Sequence, residues 1–225
     1  MSDSSPGDRQ IFEDRDDAGR RLAAMLAELP LDDPVVLGLP RGGVPIAAQV
    51  ARALHAPLDV LVVRKLGVPW QPEVAMGAIG EDGVRVLDEE LVRALRIPRS
   101  DVEAVQAHER SVLEARVERL RAGRASQELS GRTALVVDDG IATGATARAA
   151  CEVARAKGAI RIVVAAPVGA PDAETRIPNA DAIVCVTRPE RFRAVSQFYR
   201  SFDAVSDDEV TAVLAAARRG SSPGR

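Results

Sequence analysis

Aromatic side chains are scarce in this chain: four phenylalanines, one tyrosine and one tryptophan among 225 residues. The shortage accompanies an abundance of Ala, Val, Leu and Arg and reflects genome composition rather than function. Only two cysteines occur, Cys151 and Cys185. Each sits in an apolar stretch, and their spacing suits neither a disulfide framework nor a metal site, so both are expected as core thiols of a cytoplasmic protein. The two histidines, His55 and His108, have no ligand-like partner in the sequence and are expected at the surface. No apolar run approaches the length of a membrane span, and the opening MSDSSPGDRQ lacks the apolar centre of a signal peptide. A formal charge of -3 is too close to neutral for a general nucleic-acid or membrane-binding surface.

What the chain does have is an ordinary apolar fraction, 46%, and enough length to bury a substantial core in one domain. Strand and helix patterns alternate along it. Residues 11–29 read as an amphipathic helix with Ile11, Leu22, Met25, Leu26 and Leu29 on its apolar side. Apolar strands follow at 34–40 and 58–64, with a helix at 44–54 between them. Residues 65–83 are rich in Gly and Pro and read as a mobile loop and hairpin. Helices are expected from Asp88 to Leu95 and from Ser100, with Glu103 closing a capping box, to about Arg121. Further strands at 133–139, 159–168 and 181–187, a helix at 144–157 and a last helix at 207–219 complete the pattern. Four of the strands lack polar alternation, as strands covered on both faces should. The fold expected is therefore α/β: an open, twisted, mostly parallel sheet of about five strands flanked by helices. Residues 1–10 and 217–225 are expected to be disordered, with one domain spanning 11–216.

One stretch carries chemistry. LVVDDGIATGAT, residues 135–146, ends a buried strand on two adjacent carboxylates and then opens a helix. Open parallel sheets bind ligands at the carboxyl ends of their strands. The N–H groups of a helix start are unpaired within the helix and, with the dipole, favour an anion such as phosphate. Gly140 and Gly144 permit close backbone approach, and Thr143 and Thr146 add hydroxyl donors. Carboxylates do not bind phosphate, but they accept hydrogen bonds from vicinal hydroxyls or hold a divalent cation through water. A sugar phosphate satisfies both halves. A P-loop would need Gly-Lys-Ser or Gly-Lys-Thr, and a dinucleotide fold would need G-x-G-x-x-G after its first strand; neither occurs here. A phospho-acceptor receiver would carry its paired acids after the first strand of a shorter chain.

VVDDGIATGAT resembles the phosphoribosyl-pyrophosphate (PRPP) signature of type I phosphoribosyltransferases, and the likeness extends from about residue 11 to 214. It is most similar to bacterial members of unassigned substrate, which share FEDRDDAG (12–19), LPRGG (39–43), a VRKLG-x-P segment (63–69) and a late aromatic cluster. The resemblance implies a type I fold with a flexible flap at about 66–86 and a small hood at about 187–205. It implies ribose hydroxyls on Asp138 and Asp139, with Gly140 in the same loop, and a 5-phosphate on Ala142, Thr143, Gly144, Ala145 and Thr146. Arg41, Gly42 and Gly43 would bind pyrophosphate in a turn that in the family often contains a strained or cis peptide. Arg64 and Lys65 would neutralise it as it leaves. Mg²⁺ would be chelated by pyrophosphate and ribose, supported indirectly by Asp138 and Asp139.

The implied reaction displaces pyrophosphate from PRPP with a nitrogen nucleophile, in nucleotide metabolism; a non-catalytic PRPP or nucleotide sensor using the same pocket is the alternative. Glu73 is either a base or cation stabiliser beside Lys65, or a solvent-facing loop acid. Trp70 is either a lid wedge or a subunit contact, and the family often forms dimers. Partners are small molecules, PRPP and an acceptor, without nucleic acid or membrane. Ala142 stands where several purine-salvage relatives carry an acid, which argues against a 6-oxopurine. Phe192, Phe198, Tyr199 and Phe202 either stack on an acceptor base or staple the core. Glu109 and Arg116 interrupt the apolar stripe of the long helix: either they are partly buried and paired elsewhere, or the stripe covers only part of the helix.

Overall fold

The computed structural model describes residues 12–220. In chain order the elements are α1 (Arg15–Leu26), β1 (Pro34–Gly38), α2 (Gly43–Leu54), β2 (Leu58–Val60), β3 (Val63–Val68), β4 (Gln71–Gly80), β5 (Arg85–Leu87), α3 (Glu89–Ala94), α4 (Arg99–Arg121), β6 (Thr133–Val137), α5 (Ala145–Ala156), β7 (Arg161–Val168), α6 (Ala173–Arg176), β8 (Ala182–Thr187), a 3-10 turn (Val195–Phe198) and α7 (Asp207–Gly220). No helix among the described residues is long and apolar enough to cross a membrane. The reading of residues 1–10 and of 221–225 falls outside the described residues, as does that of Ile11, while α7 continues past 216.

Five strands form a parallel sheet in the order β2-β1-β6-β7-β8, as the apolar runs predict. Alternate residues of its strands feed two cores. Val36, Leu135, Val137 and Val163 pack with Leu22, Ile46, Val50 and Val210 from α1, α2 and α7. Val35, Leu37, Val136 and Val164 pack with Ala147, Ala150, Cys151 and Val153 from α5. The chain runs outward from β1 to β2, returns beside β1 as β6, then runs outward again to β7 and β8. The order therefore reverses between β1 and β6. At such a point the loops leaving two neighbouring strands diverge and open a crevice.

The predicted hairpin is present, β4 and β5 pairing antiparallel across the Glu81-Asp82-Gly83 turn, but the stretch before it, read as a loop, is β3 and the start of β4, so that a second, antiparallel sheet forms in the order β3-β4-β5. The expected strand 58–64 breaks at Leu61 and Val62, where the chain leaves one sheet for the other. Gly67, Pro69, Pro72 and Gly77 look like breakers, but register shifts on both sides of Gly67 absorb the irregularity. Leu66, Val68, Met76 and Ile79 are buried against Val102, Leu113 and Leu120 of α4. Two local readings also differ. Helix α4 starts at Arg99 after Pro98, so Ser100 lies inside it, its hydroxyl on Asp101, and no Ser100–Glu103 box forms. Met25 and Leu29 are exposed, because Ala18, Leu22, Ala23 and Leu26 supply the inner face of α1.

The end of α4 is fixed by a buried ionic knot. Arg121 donates to both carboxylate oxygens of Asp59 at 2.9 and 3.1 Å, to Glu81, and to the Val60 carbonyl at 3.0 Å. Asp59 also accepts from the Gln127 N–H at 2.7 Å, and Glu81 from the Val62 N–H at 3.2 Å. Two carboxylates and a guanidinium are thus taken out of water only with their hydrogen-bonding capacity largely filled.

Candidate active site

Both loops at the reversal point are tied to the sheet. After β6, Asp138 N–H donates to the Ala165 carbonyl (3.1 Å) and Ile141 N–H to the Val168 carbonyl (2.9 Å), while Ala170 N–H donates back to the Ile141 carbonyl (2.8 Å). Gly144 takes φ 73°, a left-handed conformation that turns the chain into α5. The N–H groups of the first turn of α5 have no intrahelical acceptor; Thr143 Oγ1 accepts from Ala145 N–H at 3.4 Å. Arg176 of α6 donates to the Ala142 carbonyl at 3.0 Å.

The turn after β1 lies against this loop. Leu39 N–H donates to the Val137 carbonyl (2.8 Å), and the Pro40–Arg41 peptide is cis. A side chain at Gly42 would put its Cβ 1.8 Å from Asp139 Oδ2, and one at Gly43 would lie 2.4 Å from the Val137 carbonyl oxygen. These two positions admit no side chain because the acidic pair and its strand occupy that space.

The two acids have different surroundings. Asp139 Oδ2 accepts from Arg15 Nη2 at 2.9 Å and Nε at 3.3 Å, and the Asp139 carbonyl accepts from the Tyr199 hydroxyl at 2.7 Å. Asp138 Oδ1 accepts from the Asp139 N–H at 2.9 Å. Part of Asp138 still reaches solvent, but the packed strand end around its carboxyl and the adjacent Asp139 charge push it up to about 7.

A cleft of about 730 Å³ opens beside the loops, lined among others by Pro40, Arg64, Lys65, Glu73, Ala145 and Thr146. Asp138, Asp139 and Arg41 are not among its lining residues. Arg41 is half-exposed, 3.8 Å from Asp207. Lys65 is 3.7 Å from Glu73 Oε2 and 3.4 Å from its carbonyl, while the Glu73 side chain is 97% exposed. Arg64 pairs with Glu109 at 2.7 Å, and Arg116 donates to the Pro40 carbonyl at 3.1 Å. Those two contacts resolve the interrupted stripe of α4: both residues are partly buried and paired across the cleft. Burial, with Arg41, Arg64 and Arg119 nearby, holds the Arg116 guanidinium below its ordinary range despite Asp207.

Against this geometry, residues 10–203 match the family model described as a phosphoribosyl transferase domain. The chain belongs to the phosphoribosyl transferase domain family. Two Mycobacterium tuberculosis proteins, from strains H37Rv and CDC 1551, each carry the name "putative phosphoribosyl transferase"; each is 56% identical over 211 residues, 93% of this chain. The chain spans about half of their length, 48%. The crystal structure of TT1426 from Thermus thermophilus is 44% identical with a TM-score of 0.87, over 92% of this chain and 99% of that one. The family expected from VVDDGIATGAT and the parallel sheet expected from the strand pattern both hold. Within the phosphoribosyl transferase frame, the sequence reading missed Arg15, Arg116, Arg176 and the Tyr199 hydroxyl as neighbours of the loops. FEDRDDAG and the charged interruptions in α4 were the available signals.

The late aromatics form a small third cluster. Tyr199 is buried with Phe12, their rings 5.4 Å apart; Phe202 lies 4.8 Å from Tyr199; Phe192 stacks on Phe198 at 5.8 Å. Only Val195–Phe198 is helical, so Phe198 and Phe202 do not share a helix face. His55 and His108 are exposed, Cys151 is buried and Cys185 half-buried; Trp70 sits 58% exposed on the β3–β4 turn.

Proposed function

We propose that this chain is a PRPP-dependent phosphoribosyltransferase, a glycosyltransferase acting on small molecules. The observation that carries this is the meeting, where the strand order reverses, of a diacid loop, an open helix start and a turn pressed against the acids. The ribose hydroxyls donate to Asp138 and Asp139, while Gly140 closes the turn. The 5-phosphate accepts from the backbone of Ala142, Thr143, Gly144, Ala145 and Thr146 and from the threonine hydroxyls. Pyrophosphate occupies the turn of Arg41, Gly42 and Gly43, with Arg64 and Lys65 facing it from β3. The bond from the anomeric carbon to pyrophosphate breaks, a bond to a nitrogen nucleophile forms, and that nitrogen loses its proton. Glu73 is the candidate base on β4, its carboxylate 3.7 Å from Lys65.

The donors suit Mg²⁺, which prefers oxygen ligands and takes one or two carboxylates plus substrate phosphates rather than an all-protein cage. Asp138 and Asp139 would act on the ion at second hand, through water and the ribose hydroxyls. When bound, the ion neutralises charge on the departing pyrophosphate. The rest is positioning and electrostatics supplied by the two loops and β3.

Calorimetry tests the reading. PRPP with Mg²⁺ binds the wild type, and Asp138→Asn with Asp139→Asn abolishes it; no binding by the wild type at millimolar PRPP would sink the proposal. A pyrophosphate-release screen over purines, pyrimidines and small amines then identifies the acceptor. Binding without release across that panel would make the chain a sensor instead of an enzyme.

A further inference from the structure

FEDRDDAG stands apart from the two loops in sequence, yet its arginine reaches the diacid. The Arg15 and Asp139 side chains are only 13% and 18% exposed. All three guanidinium nitrogens of Arg15 are engaged: Nη2 and Nε on Asp139 Oδ2, and Nη1 on the Asp203 carbonyl at 2.7 Å. The guanidinium carbon also lies 4.0 Å above the Phe202 ring centroid. Asp139 Oδ2 is therefore enclosed, with Arg15 donating to it and Gly42 packed so closely that a methyl would overlap it. Among the described residues nothing donates to Asp139 Oδ1, and a carboxylate oxygen has two acceptor sites.

We infer that Arg15 is a positioning residue: it binds one edge of the Asp139 carboxylate so that the other edge is presented to the ribose diol, and it joins that carboxylate to the aromatic segment at 199–203. The inference rests on the proposed diol role of Asp139. The chemistry of arginine suits these contacts. A planar fork can bond a carboxylate and a backbone carbonyl at once while stacking on a ring; a lysine ammonium is a single point charge on a flexible stem. Helix α1 anchors the fork, because Asp14 caps it by accepting from Asp17 N–H at 2.8 Å and Ala18, Leu22 and Leu26 fix its inner face. The Tyr199 hydroxyl on the Asp139 carbonyl is a second tie from the same aromatic segment.

The test is calorimetry on the full chain with Mg²⁺, using PRPP, ribose 5-phosphate and pyrophosphate as probes and wild type, Arg15→Met, Arg15→Lys, Asp139→Asn and the Arg15→Met/Asp139→Asn double variant as proteins. Ribose 5-phosphate carries the diol and pyrophosphate does not. Arg15→Met is expected to weaken PRPP and ribose 5-phosphate by about tenfold or more, the scale of a lost charged hydrogen bond, and to leave pyrophosphate within about twofold. Arg15→Lys, which keeps the charge and serves if the methionine variant does not fold, shows the same selective loss. In the Asp139→Asn background, removing Arg15 adds no further loss, because the two act as one unit. Equal weakening of pyrophosphate would reduce Arg15 to a structural tie. Additive losses would make it act independently of Asp139, and tighter binding in Arg15→Met would make it a barrier; each overturns the inference. Wild-type binding with unchanged variants overturns this inference alone, whereas a wild type that binds neither sugar phosphate overturns the diol reading with it.

Discussion

Replacing Asp138 by Asn should stabilise the protein while weakening its proposed function, and the gain should depend on pH in a specific way. The packed end of β6 and the adjacent Asp139 charge raise the Asp138 carboxyl from an ordinary 3.8 to about 7. Below about pH 4 the group is protonated folded and unfolded, so it costs nothing. Between about pH 4 and 7 the unfolded chain is ionised and the folded one is not, so unfolding is progressively favoured. Above about pH 7 both states are ionised and the cost levels off. Three pKa units correspond to about 4 kcal/mol, and the solvent that reaches part of Asp138 lowers the expected gain to about 2–4 kcal/mol at pH 8. Asparagine keeps an oxygen to accept the Asp139 N–H. Urea denaturation of wild type and Asp138→Asn at pH 4, 6 and 8 measures the difference, in which other titrating groups cancel. The gain should be near zero at pH 4 and grow to its full value at pH 8. A difference that is flat with pH would refute the reasoning. A variant that is more stable but binds PRPP less well would show a site held against its own stability.

Other outcomes follow from separate parts of the molecule. Gly42→Ala would set a methyl 1.8 Å from Asp139 Oδ2 and 2.6 Å from its Cγ, and calorimetric PRPP affinity should fall by about tenfold or more; unchanged affinity would mean the turn and the acid are not in register. Arg121→Met strands the Asp59 and Glu81 carboxylates, each 3% exposed, without their cation. It should cost about 3–5 kcal/mol in urea unfolding, and a cost under about 1 kcal/mol would show that the knot opens to water. Burial pushes the Cys151 thiol up to about 12, so in a Cys185→Ser background it should resist a thiol reagent at pH 8 until denaturant is added. Rapid labelling of the folded protein would contradict its enclosure in the α5 core.

The parts of the fold legible in the sequence were those with one-dimensional signatures. Strands such as TALVV and RIVVAAPV are covered on both faces, so they read as unbroken apolar runs. The diacid loop was legible because its acids, glycines and threonines are contiguous. The β3–β4 part of the second sheet was not: its register shifts and its Gly and Pro residues look locally like a loop, and only packing against α4 shows otherwise. Glu109 and Arg116 announced themselves as misfits on an apolar face, but Arg64 and the Pro40 carbonyl could not be guessed as their partners. Nothing local marks Arg121, in the last turn of α4, or Asp59, in β2, as members of one buried knot: they lie far apart in the chain. Arg15 and Asp139 lie 124 positions apart, a separation no local pattern bridges.

Three of the polar contacts along helix α4 are spaced down its length: Glu109 meets Arg64 on β3, Arg116 meets the carbonyl of Pro40, and Arg121 closes the knot with Asp59 and Glu81. A single rod thus acts as a ruler across parts of the chain that never meet in sequence. Its length is as constrained as its chemistry. Deleting one exposed residue between Glu109 and Arg116, such as Ser111, would keep every one of these contacting side chains in the sequence, yet rotate the far half by about 100° and turn the last two contacts away together.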